Sequence, residues 1–171
     1  MSVRSDSDSF SSFDQTGDPI ELVSAFVSRQ DWYLHRTSRD CVRAEVPGRW
    51  GQYQLQVNWQ PESEALMVRC HLELSLEEGV AEQMALLLGR LNQSLWLGHF
   101  SLDEQLGVIA LRHTLTLRGA GGATPEQVED VVDILLGQAE QAFPIIYRQA
   151  FGHDVSEGAA ELVLMPVAGE A

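Results

Sequence analysis

The chain carries five histidines, His35, His71, His99, His113 and His153, and two cysteines, Cys41 and Cys70. These side chains most readily hold a metal ion or move a proton near neutral pH. Their spacing argues against both uses. No two histidines stand at a metal-ligand interval, HExxH is absent, and the cysteines lie far apart in separate strand-like stretches. Neither cysteine has a basic cluster to lower its pKa, and no serine sits in a GxSxG elbow. Gly119-Ala120-Gly121-Gly122 superficially resembles a phosphate loop. It lacks the Lys-Ser/Thr that would follow, and the helix it opens begins with acids that repel phosphate. The paired carboxylates Glu77-Glu78 and Glu129-Asp130 fall at helix starts, where acids stabilise the helix dipole. The expectation is an absence of metal, cofactor, nucleotide and catalytic residues, so the chain is read as a non-enzyme.

The residues left over are suited to binding. His113 is the one histidine on an otherwise apolar strand face, shared with Ile109, Leu111, Leu115 and Leu117. Two readings of it stand: a proton-sensitive or ligand-binding group in a cleft, and a core-edge histidine satisfied by a carbonyl. Arg49 and Trp50 follow a Pro47-Gly48 turn, which leaves Trp50 room to be exposed. Trp96, His99 and Phe100 crowd a helix end; core closure and an interface both need such large apolar groups. The candidate binding set is therefore Arg49, Trp50, Trp96, His99, Phe100 and His113.

These residues must be positioned by the elements around them. Gln52–Gln60, QYQLQVNWQ, alternates without a miss: Tyr53, Leu55, Val57 and Trp59 on one face, five amides on the other. Strand side chains point to opposite faces with a period of two, so this strand has one dry and one wet face, as in a one-sided antiparallel sheet. Cys41–Pro47, Leu66–Leu74 and Gly107–Arg118 alternate as well. A short extra strand fits Trp32–Thr37, and another fits His99–Asp103. Asp18-Pro19-Ile20-Glu21 and Thr124-Pro125-Glu126-Gln127 have capping-box spacing with Pro at the first helical position. They open helices ending near Gln30 and Gly152, the latter kinked or shifted at Pro144. Val80–Leu97 has helical periodicity, with Gly98 as its stop. The order α-β-β-β-α-β-β-α, with clustered strands, predicts an α+β fold: about five antiparallel strands packed with three helices.

The 171 residues suit one domain. Residues 1–17 are dominated by Ser and Asp and read as a disordered tail. Residues 18–152 form the domain, and 153–171 a second tail with room for a short helix over Val155–Leu164. The net charge of −14 argues against nucleic-acid and anionic-membrane partners, which need a positive footprint. Two sparse cysteines, no apolar leader and no membrane-length apolar run predict a cytoplasmic protein.

Leu91-Asn92-Gln93-Ser94-Leu95-Trp96-Leu97-Gly98-His99-Phe100 is the most specific block of the sequence. Together with Pro47-Gly48-Arg49-Trp50, Leu111-Arg112-His113, Leu117-Arg118-Gly119 and Glu126-Gln127-Val128-Glu129, it resembles the YbjN family of bacterial proteins. The likeness covers roughly residues 20–152. It implies a fold similar to class I type III secretion chaperones, a frequent dimer, and no established catalytic residues. The resulting expectation is a homodimeric module that binds a protein or peptide and regulates or chaperones it. The alternatives are a small-ligand sensor and an enzyme with a cryptic site where His99, His113 and Arg112 converge.

Overall fold

A computed structural model describes residues 17–76 and 79–152. The expected tail over 1–16, the short C-terminal helix, His153 and the Glu77-Glu78 pair lie outside the described residues. Gly17, assigned above to the tail, is pinned: it bridges Ala123, with its N–H 3.1 Å from the Ala123 carbonyl.

Helix α1 spans Pro19–Arg29, and the Asp18 carboxylate accepts the Ile20 and Glu21 N–H groups. Four strands follow: β1 (Tyr33–Ser38), β2 (Cys41–Pro47), β3 (Gln52–Gln60) and β4 (Ala65–Leu72). Helix α2 covers Ala81–Asn92, β5 His99–Asp103, β6 Val108–Thr116 and α3 Pro125–Phe151. The Thr124/Gln127 capping box is formed in full. The stretch allowed above as an extra strand is a full one, β1, so the sheet has six strands rather than about five.

The strand order is β1-β2-β3-β4-β6-β5, antiparallel throughout. All three helices pack on one face: α1 against β1 to β3, α3 against β4 and β6, and α2 against β5. The core lies between, built from Leu55, Val57, Leu66, Val68, Leu72, Ile109 and Leu111 of the sheet and Val23, Val27, Met84, Leu135 and Ile146 of the helices. Among the described residues, no helix lies over the opposite sheet face. Edge strand β1 is irregular: its register shifts between Arg36 and Ser38, and the Arg36 guanidinium turns back to donate to the Ser38 and Arg39 carbonyls.

Helix α2 ends five residues before Leu97, its expected limit. The reason is Asn92. Its side-chain amide donates to the Phe100 carbonyl at 3.0 Å, and its oxygen accepts the Phe100 N–H. The chain must fold back over 93–99 to make this clasp, so Gly98, at φ +75°, turns the chain into β5 rather than capping the helix.

Candidate functional site

The open face of the sheet is left uncovered by the three described helices. Register places its side chains in rows across the strands. The central row reads His35, Arg43, Gln56, Arg69, Arg112, His99, one residue from every strand. The row beside it reads Tyr33, Glu45, Gln54, His71, Ala110, Ser101. On the other side lie Asn58, Met67 and Thr114. The five amides of β3 run through the middle of this face, where Gln56 donates to the Asn58 side-chain oxygen at 2.9 Å. A shallow depression of about 590 Å³ lies at the β4–β6–β5 side, lined by Arg69, His71, Arg112 and Asp103 among others. Such amides and guanidiniums hydrogen-bond a partner; they supply no general acid or base at neutral pH.

The expected binding residues fall in two places. Arg49 and Trp50 sit in the β2–β3 turn, which is docked on α3. The Arg49 N–H donates to the Glu140 carboxylate at 2.7 Å, and the Trp50 indole N–H donates to the Glu140 backbone carbonyl at 3.0 Å. Trp50 is half-buried rather than exposed, with the Arg49 guanidinium over its ring. The second bond has a specific cause. In a helix the Glu140 carbonyl would accept the N–H of residue 144, and that residue is Pro144, which has none. Trp50 fills the vacancy, and α3 runs through Pro144 as one helix. The turn is tight: a Cβ on Gly48 would stand 2.2 Å from the Tyr53 ring and 2.4 Å from Glu140 Oε1. Trp50 is thus a structural latch.

Trp96, His99, Phe100 and His113 lie at the α2–β5–β6 end. Trp96 is 75% exposed and His99 is exposed. Phe100 is not a surface residue; it pairs with Leu111 and points into the core. His113 pairs with Val68 on the helix side of the sheet and is half-buried. Arg112 faces the open side, because neighbouring strand residues point oppositely. His99, Arg112 and His113 therefore do not converge on one pocket. The glycine loop Gly119–Gly122 borders a separate concavity of about 680 Å³ with Asp18 and Glu64. Both carboxylates are already used, Asp18 as the α1 cap and Glu64 as acceptor of the Gly119 N–H.

The electrostatics follow burial. Burial first, and the Glu140 carboxylate second, push the Cys70 thiol up to about 12, so it stays protonated. The same two causes, in that order, raise the Tyr53 phenol; its hydroxyl makes no hydrogen bond of sound geometry although Glu140 lies beside it. His71 is held below its ordinary value by burial, then by Arg69 and Arg43. His113 is lowered by burial, then by His99. Both are neutral in the fold at pH values where an unfolded histidine, near pKa about 6.5, starts to protonate. The unfolded chain then binds more protons, so their stabilisation is present above that value and is lost as pH falls below it. Glu73 and Asp133 are raised and act in the opposite sense, losing stability as pH rises through their folded values. We expect the melting temperature to fall on acidification from about pH 7.5 to 5.5. His71→Gln and His113→Gln should each flatten that fall; slopes identical to the parent would contradict the assignment.

Among the described residues no group of three His, Cys, Asp or Glu is placed to hold a metal ion, and no helix is long and apolar enough to cross a membrane. Residues 19–148 match the family model YbjN, described as "Putative bacterial sensory transduction regulator". The chain belongs to the YbjN family. The family description is that of a regulator, not of an enzyme. Among solved structures, YbjN, "a putative transcription regulator from E. coli", is similar at 13% identity and TM-score 0.57, over 78% of this chain and 93% of that one. A chain of the ExsC-ExsE complex is similar at 21% identity and TM-score 0.48, over 71% of this chain and 88% of that one. No curated protein matches the sequence. The family match, residues 19–148, spans α1, all six strands, α2 and all but the last residues of α3. Sequence reading alone missed Asn92, Glu140 and the arginine row. The Asn92 signal was present: an amide at a helix end, inside the most specific block.

Proposed function

We propose that the chain is a non-enzymatic protein-interaction module, a regulator or chaperone-like binder that takes a protein segment on the open face of its sheet. The open face carries this reading: among the described residues, six strands present amides, arginines and histidines on the side away from the three helices. Membership of a family described as regulators supports it. The two buried free cysteines fit a reducing, cytoplasmic setting. Affinity capture from the native host, read by mass spectrometry and hydrogen exchange, is the test. A reproducible protein partner that shields Gln52–Gln60 agrees with the reading. A co-purifying small molecule, or a turnover lost on replacing His99 or His113, overturns it.

The module acts as a homodimer in this reading. Leu86 on α2 and Trp96 just beyond it are 63% and 75% exposed, apolar area of the kind a second copy covers. Sedimentation at micromolar concentration should give a species of twice the 19.0 kDa chain mass. A single species at 19.0 kDa across the range removes the dimer.

A further inference from the structure

The chain has 25 acids against 11 bases, and all 11 are arginines. Three of them, Arg43, Arg69 and Arg112, stand in the single row that crosses the open face, with His35 and His99 at its ends. Arg69 and Arg112 are direct cross-strand partners. Like charges directly opposite one another destabilise a sheet. Among the described residues none of the three arginines makes an ion pair, whereas Arg29 pairs with Glu129 and Arg36 with Glu21 elsewhere on the molecule. An acidic protein thus keeps an unneutralised cationic row, on the face its helices leave open. The lowered pKa of His71, with Arg69 and Arg43 among its causes, is in keeping with a positive potential there.

We propose that this row is the docking site for an acidic, extended segment of a partner protein, laid across the strands. The inference rests on the binding-module reading above. Strand spacing of about 4.8 Å puts Arg43 and Arg112, three strands apart, about 14 Å from each other. An extended peptide advances about 3.3–3.4 Å per residue, so carboxylates at positions i, i+2 and i+4 span about 13 Å. The outer two acids therefore meet Arg43 and Arg112, the middle one falls between Gln56 and Arg69 within reach of the long Arg69 side chain, and each guanidinium can hold a carboxylate by paired hydrogen bonds. The direction is set by neighbours: Glu45 beside Arg43 on β2, Glu73 beyond β4 and Asp103 on β5 repel an anion that turns along the strands. The row is one side chain deep and the chain's net charge is −14, which disfavours a nucleic acid, whose phosphates need a broader positive footprint.

The test uses the full chain and a fluorescein-labelled synthetic peptide with glutamate at alternate positions separated by serine, read by anisotropy. A glutamine version of the peptide and a single-stranded oligonucleotide of equal charge serve as controls. We expect the glutamate peptide to bind more tightly than both, to weaken with salt, and to lose about tenfold or more with the variant R43Q/R69Q/R112Q. Arg29→Gln, on α1, should change nothing. The triple variant should melt no lower than the parent, since the Arg69–Arg112 repulsion is gone; if it does not fold, Arg112→Gln alone carries the test, with a smaller loss expected. Unchanged peptide affinity in a folded variant overturns the proposal, as does tighter oligonucleotide binding. A variant that turns a dimer into a monomer overturns it too, by making the row a contact between copies. A natural partner still captured by the triple variant sinks the arginine row while leaving the module reading intact.

Discussion

Leu55→Ala is expected to cost about 2–5 kcal/mol of stability, while Gln54→Ala next to it costs under about 0.5 kcal/mol. Leu55 is 1% exposed and lies between Ala44 and Cys70 in the register, under the helices. Removing its branched end leaves a cavity that a close-packed core cannot fully refill. Gln54 is exposed on the open face and has no core contact to lose. Urea unfolding of the two variants measures the contrast. Equal losses would mean that the face assignment of the whole strand is wrong, since a slip of one residue exchanges the faces.

The second large effect belongs to the latch. Trp50→Phe keeps an aromatic ring but removes the N–H that the Glu140 carbonyl accepts, and should cost about 1–3 kcal/mol. Pro144→Ala alters the same carbonyl from the other side, because the alanine supplies a helix N–H to it. In the Pro144→Ala background the Trp50→Phe loss should therefore shrink. A cycle of four proteins, unfolded chemically, measures this coupling free energy of the two sites. Additive losses would show that the indole contributes only its packing.

The sequence made some of this legible and hid the rest for definite reasons. The period-two run from Gln52 to Gln60 fixed a strand with one dry face, because every residue agreed. The Asp18 and Thr124 caps are readable because capping is local, involving residues two or three apart. Strand β1 was seen only as a short fragment, since its exposed side chains carry little alternation. The Trp50 turn and Pro144 each stand out in the sequence, yet the Trp50–Glu140 bond that links them spans 90 residues and no local pattern encodes it. The arginine row is more hidden still. Arg43, Arg69 and Arg112 come from three separate strands and align only once register is known. The candidate binding set suffered from the same blindness: an aromatic such as Phe100, read as surface or core with equal right, is assigned by the clasp of Asn92 on its backbone.

That clasp, together with the irregular β1, bears on how the molecule avoids sticking to itself. A sheet with a bare face and free edges is a template for strand addition and fibre growth. Here one edge has its register shifted at Arg36, whose guanidinium takes the carbonyl of Ser38 at the strand's end and that of Arg39 in the turn. The other edge has its Phe100 amide and carbonyl occupied by Asn92. Both rims are blunted against cross-β growth while the broad face between them stays open. Copies of the chain that meet at high concentration are thereby steered toward contacts through helix surfaces, which close, rather than through rims, which propagate.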